Sequence, residues 1–194
     1  MILSILDLPN TVYHGTISCY KNSFNNGITL NHNSAPTDFG DGFYTTTQYE
    51  QAKHFAIKKT KIYNRRTKNR ASPMIMTLKL NTEKLNHDCN GIVFMAPDKK
   101  WREFILNNRA GKSLAVSNFH NLDAQCDYVY GMVADSRIAQ LTYSYIDNSI
   151  SSQEFLDELM PLRNGCADQL SLHSINALQS IKISNIQILK EEEE

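Results

Sequence analysis

The sequence predicts a domain of mixed α and β structure, and three observations carry that prediction. Runs of β-branched and aromatic residues with period-two alternation recur along the chain, at residues 11–16, 73–80, 168–173 and 181–188. Residues 48–62 and 98–111 instead carry apolar side chains at helical spacing: Tyr49, Ala52, Phe55 and Ala56 in the first, Trp101, Phe104 and Ile105 in the second. Finally, 194 residues with no internal repeat and no compositional break fit one core, so a single domain is expected over residues 1–194. Periodicity alone leaves α/β and α+β both open.

Each element has a local reason. Residues 1–8 are apolar but lack a basic start and a small-residue cleavage site, so they read as a first strand or short helix rather than a signal peptide. Residues 11–16 form a strand that ends at Gly15, and residues 18–33 are polar with a turn at Asn26-Gly27. Residues 28–30 read as a short strand and 31–37 as a loop. Gly40 and Gly42 allow a tight turn into a strand at 43–46. Thr47 followed by Glu50 reads as a capping box that starts the helix at 48.

Residues 58–70 hold Lys58, Lys59, Lys61, Arg65, Arg66, Lys68 and Arg70 without an acid. Two readings stay open: a solvated helix end, or a docking patch for an acidic partner or nucleic acid, with Tyr63 as its only aromatic. Residues 73–80 read as a core strand, 81–89 as a connection, and Asn90-Gly91 as a turn before a short apolar run. Asp98 caps a helix that ends at Gly111. Residues 127–135 read as a strand, 138–148 and 152–162 as helices with Ser152 capping the second, and 161–165 as its close. In the strand at 168–173, alternation puts Gln169, Ser171 and His173 on one side. Residues 174–180 give a helical turn, 181–188 a last strand with one side exposed, and 191–194 a solvated acidic tail.

Charges balance at 20 basic and 20 acidic, so no global field recruits a polyanion. Cys19, Cys89, Cys126 and Cys166 show no C-x-x-C spacing; reduced thiols in a cytoplasmic protein are expected, with no metal site. The apolar runs are far short of a membrane span.

Two motifs add a resemblance. Gly42-Phe43-Tyr44-Thr45-Thr46, with Phe55 eleven positions after Tyr44, resembles the second motif of ADP-ribosyltransferases of the diphtheria-toxin and poly-ADP-ribose-polymerase type. Tyr13-His14-Gly15-Thr16 resembles their first motif. The resemblance implies an α+β fold with two facing, mainly antiparallel sheets around a cleft for NAD. It implies that Tyr44 and Phe55 sandwich the nicotinamide, that His14 holds the adenosine-side ribose, that the Gly15 backbone pairs with the carboxamide, and that Thr16 supports the ring. The family's late-strand glutamate falls at Gln169, which can accept from or donate to a ribose hydroxyl but carries no full charge; Asp168 and Glu103 are the candidates to supply that charge.

Residues 101–109 and 130–135 resemble a bacterial branch of such domains that occurs as toxins beside a small antitoxin. There Arg109 and Asp135 either line the cleft or serve as a surface cation and a turn residue. The expectation is NAD-dependent mono-ADP-ribosyl transfer through His14, Tyr44 and Gln169, onto a protein or nucleic-acid acceptor. The rivals are an NAD glycohydrolase, a binding module without chemistry, and an RNA 2′-phosphotransferase.

Overall fold

A computed structural model of the chain describes residues 4–30, 36–162 and 167–190. The fold is α+β with two sheets. A 3-10 turn at Ile5–Asp7 precedes β1 (Thr11–Ile17), and another at Ser18–Tyr20 leads into α1 (Lys21–Asn25). Then come β2 (Phe43–Thr45), α2 (Tyr49–Arg66), β3 (Pro73–Leu80), α3 (Thr82–Asp88), β4 (Gly91–Val93) and α4 (Lys99–Ala110). The chain continues through β5 (Tyr128–Met132), α5 (Ile138–Ile146), α6 (Ser152–Glu158), β6 (Asp168–Leu172), α7 (Ile175–Leu178) and β7 (Ile181–Ile188).

One sheet has the order β1-β3-β7 and the other β2-β6-β5-β4; every pair is antiparallel except β4 with β5. The two sheets face each other across one apolar cluster. Val12, Met74, Met76 and Leu78 enter it from the first sheet, and Phe43, Tyr128, Tyr130, Leu170 and Leu172 from the second. The far face of the second sheet is covered by α4, α5 and α6 through Val129, Trp101, Phe104, Leu141 and Phe155. The far face of the first sheet carries α2, where Ala52 and Ala56 lie on Ile75. This four-layer order explains why β3 and β6 read as nearly continuous runs of buried residues.

Small side chains set how closely α2 approaches. A Cβ on Gly15 would lie 2.0 Å from the Ala52 carbonyl oxygen, so only glycine fits beneath the helix there. The chain also enters β2 through a turn that uses Gly40 at φ +88°.

Several expectations are corrected. The capping box at Thr47 and Glu50 does not form: α2 begins at Tyr49 after Gln48, with no side-chain cap, because the Thr47 hydroxyl and N–H are both drawn to Asp168. Phe55 leaves the buried face of α2 and is 56% exposed, while Thr60 is buried in its place along the stripe. β1 passes through Gly15 to Ile17 rather than stopping there. Residues 28–30 form no strand, and the connection after β3 holds α3, capped by the Asn81 side chain. Ser151, not Ser152, caps α6, with Glu154 closing the box, and α6 ends at Glu158. The strand expected at 127–135 is trimmed to β5, and the short apolar run at 92–95 begins within β4. The expectations for residues 1–3, most of the 31–37 loop, the end of the 161–165 segment, Cys166 and the 191–194 tail lie outside the described residues.

Candidate functional site

The two sheets meet where β1 runs past β2. Tyr13 N–H donates to Thr46 O at 2.8 Å, and Thr46 N–H donates to Tyr13 O at 2.9 Å. Toward β3 the bonds belong to the even positions of β1, since Ser18 N–H reaches Ser72 O and Leu80 N–H reaches Asn10 O at either end. Strand alternation therefore turns the Gly15 N–H and C=O to the edge that faces β2. Continuing the Tyr13–Thr46 register would pair Gly15 with Tyr44, yet the bridge is isolated. The His14 ring takes that place: its Nδ1 donates to Tyr44 O at 2.7 Å.

A carbonyl only accepts, so this bond fixes the tautomer with hydrogen on Nδ1 and leaves Nε2 as a bare acceptor. The imidazole stacks on Phe43, with ring centres 4.5 Å apart, and meets Phe24 edge-on. Burial lowers its pKa to about 4; the Tyr44 bond opposes this and the nearby Lys59 charge adds to it. The Lys59 ammonium lies 3.5 Å from the buried Thr16 hydroxyl, over the rings of Tyr20 and Phe55.

The Tyr44 ring leaves β2 on the opposite face from Phe43. Its hydroxyl donates to Gly40 O at 2.7 Å and accepts from Phe39 N–H at 3.1 Å, which ties the ring to the turn before β2. Burial raises the pKa of that hydroxyl well above the usual tyrosine value. On the same face, one strand over, Gln169 is buried at 9% exposure. Gln169 Nε2 donates to Asp38 Oδ2 at 3.0 Å and to Met132 O at 3.3 Å. Asp38 Oδ1 accepts from Arg109 Nε at 2.8 Å and Nη2 at 2.6 Å. Asp38 is therefore the carboxylate beside Gln169.

The two acids expected to stand there do other work. Asp168 projects to the opposite face of β6, where it accepts from the Thr46 hydroxyl at 2.6 Å, Thr47 N–H at 2.9 Å, the Thr47 hydroxyl and the Tyr130 hydroxyl at 3.0 Å. Glu103 accepts from Ser117 at 2.6 Å. His173, on the Gln169 side as expected, donates from Nδ1 to Asp41 O at 2.6 Å and meets Ser171 Oγ at 2.8 Å. A Cβ on Gly42 would lie 2.6 Å from that ring, so Gly42 makes room for His173.

His14, Gly15, Tyr44 and Gln169 thus lie on neighbouring strands, with Gly42 in the bend before β2, but their side chains do not converge on one another. The imidazole leaves toward the inter-sheet cluster, while Tyr44 and Gln169 share the other face of the second sheet. Phe55 sits beside Lys59 and makes no ring contact with Tyr44, whose ring meets His173 edge-on. Asp135 pairs with Arg137 at 3.0 Å at the start of α5, the turn role rather than a cleft role. The basic run at 58–70 covers the last turns of α2 and the loop after it. A hollow of about 260 Å³ lined by Arg137, Gln140, Leu141, Ser144, Ile150 and Glu158 shares no residue with this site. Cys19, Cys89 and Cys126 are free thiols. Among the described residues no helix is long and apolar enough to cross a membrane, and no three acidic, histidine or cysteine side chains could hold a metal ion.

Sequence reasoning missed Asp38 and the role of His173. Asp38 opens the Gly40–Gly42 turn and sits two residues before a glycine, a signal for a turn but not for a partner. The alternation in β6 had already set His173 on the Gln169 side.

In comparison with known proteins, a family model described as "Protein of unknown function (DUF3990)" matches residues 11–183. No curated protein and no solved structure matches.

Proposed function

The chain belongs to the DUF3990 family, and we propose that it is an NAD-dependent mono-ADP-ribosyltransferase. The observation that supports this best is a strand edge left unpaired among the described residues: the backbone of Gly15 faces Tyr44, and a neutral His14 stands between them with its Nε2 given no partner by those residues. A backbone N–H and C=O side by side match a carboxamide, which has one acceptor and donors of its own. Nε2 matches a ribose hydroxyl.

In such a reaction the C–N bond between ribose and nicotinamide breaks, and its electron pair leaves with the nicotinamide. C1′ gains positive character and then bonds an acceptor oxygen or nitrogen, which loses its proton. The task of this chain is to clamp the departing base and place acceptor atoms near the sugar. Gly15 and Tyr44 would do the first, His14 and Gln169 the second; Phe55, exposed beside Lys59, stands apart from the Tyr44 ring. The resemblance of residues 101–109 and 130–135 to toxin-like domains supports a role as the toxin of a toxin–antitoxin pair or as an effector.

A second reading is an NAD- or ADP-ribose-binding module without turnover. It is favoured by Gln169, a neutral side chain already bonded to Asp38. Incubation with NAD separates the two. The transferase releases nicotinamide and leaves ADP-ribose on an acceptor seen by mass spectrometry; a glycohydrolase releases nicotinamide without a modified acceptor; a module binds NAD in calorimetry and releases none. Tyr44→Phe should keep the activity because the flat ring remains, and Tyr44→Ala should lose it. Full activity in Tyr44→Ala would defeat the proposal.

A further inference from the structure

We propose that Asp38 is a positioning residue for Gln169: it occupies the amide end of that side chain, so that only the carbonyl oxygen Oε1 is presented toward the sugar. The inference rests on the ADP-ribosyl-transfer reading. A glutamine amide has two N–H donors and one carbonyl acceptor. Nε2 faces Asp38 Oδ2 at 3.0 Å and Met132 O at 3.3 Å, both of them acceptors, so both donors are spent. Turning the amide over would set Oε1 against a carboxylate and a carbonyl and lose a charge-assisted bond. Asp38 cannot turn away either. Arg109 holds its other oxygen with two N–H groups, and Asp38 is only 6% exposed.

Oε1 itself has no partner among the described residues and is not completely buried. A glutamine held this way imitates the accepting oxygen of a glutamate. It offers a lone pair to a hydroxyl, cannot donate back, and is polarised by the Asp38 charge behind it.

A consequence follows for the obvious gain-of-function variant. Gln169→Glu would put a second carboxylate about 3 Å from Asp38, and like charges that close do not both ionise. Moving the charge instead, with Gln169→Glu and Asp38→Asn together, keeps one acid, one amide and the Arg109 partner.

The test measures nicotinamide release from NAD across pH for the wild type, both single variants and the double variant. It is read beside the side-chain amide signals of Gln169 in ¹⁵N NMR of the wild type and Asp38→Asn. We expect Gln169→Glu to be slower than the wild type near neutral pH and to gain a raised carboxyl ionisation. The double variant should be several-fold faster than either single. The Gln169 amide protons should be protected from exchange in the wild type and lose that protection in Asp38→Asn. A Gln169→Glu single variant that outpaces the wild type with an ordinary carboxylate profile would overturn the proposal, as would freely exchanging amide protons in the wild type. If the wild type releases no nicotinamide, the transferase reading falls, and the Asp38–Gln169 lock is judged by the amide spectrum alone.

Discussion

His14 illustrates how one side chain is tuned by its neighbours. Its Nδ1 is committed to Tyr44 O, its face lies against Phe43 with Phe24 edge-on beside it, and burial holds its pKa near 4 rather than 6.5. The unfolded chain therefore takes up a proton on this residue at a higher pH than the folded chain does. Stability on its account is whole above pH 6.5 and falls as pH drops toward 4, by at most about 3 kcal/mol. Burial depresses His173 as well, with the same sign. Urea unfolding of the wild type and His14→Gln at several pH values should show a shallower acid decline in the variant; parallel curves would refute the assignment to His14. At this scale the sequence was informative where a motif is contiguous. His14, Gly15 and Tyr44 lie in two short stretches, and strand pairing brings those stretches together. The polar network behind them was hidden because Asp38 meets Arg109 across 71 positions and Gln169 across 131. No local spacing encodes such partners.

Among elements, β3, β6, β7 and α4 lie at or within a residue of their expected bounds. Each has either unbroken apolar content, a clean alternation or a true cap, as with Asp98 accepting from Trp101 N–H at 3.0 Å. Helices α1 and α3 were missed because five and seven polar-rich residues are too few to show a period. The start of α2 was misplaced because a tertiary acceptor, Asp168, outcompeted a local cap for Thr47. The seat of α2 depends on Gly15. Gly15→Ala would drive a Cβ to 2.0 Å from a backbone oxygen of the helix, which yields only if the helix moves. The expected loss is about 3 kcal/mol, against about 1 kcal/mol for Gly27→Ala, where space is open and only the left-handed backbone resists. Thermal melts of both variants decide it; equal shifts would contradict the close seating of α2.

At the scale of the molecule, the two sheets share an apolar interior but, among the described residues, a single strand bridge, Tyr13 with Thr46. Asp168 steadies that joint by holding the Thr46 hydroxyl, both groups of Thr47 and the Tyr130 hydroxyl at once. Asp168→Asn keeps the shape but makes one of its two oxygens a donor, so the hydroxyls that bonded it must turn to accept, and the charge that strengthened all four bonds is lost. A loss of about 2–3 kcal/mol is expected, read from the urea midpoint; a change below about 0.5 kcal/mol would mean the joint does not depend on it. Because the Tyr44 carbonyl is occupied by an imidazole rather than by the Gly15 amide, the two sheets stop short of merging into one continuous surface. Shortening that side chain to alanine would let the two backbones zip together by one more rung, closing the slot. A His14→Ala protein that has lost its ligand would then be reporting a shut door as much as a missing nitrogen, whereas asparagine, which can still reach the same carbonyl, would leave the door ajar.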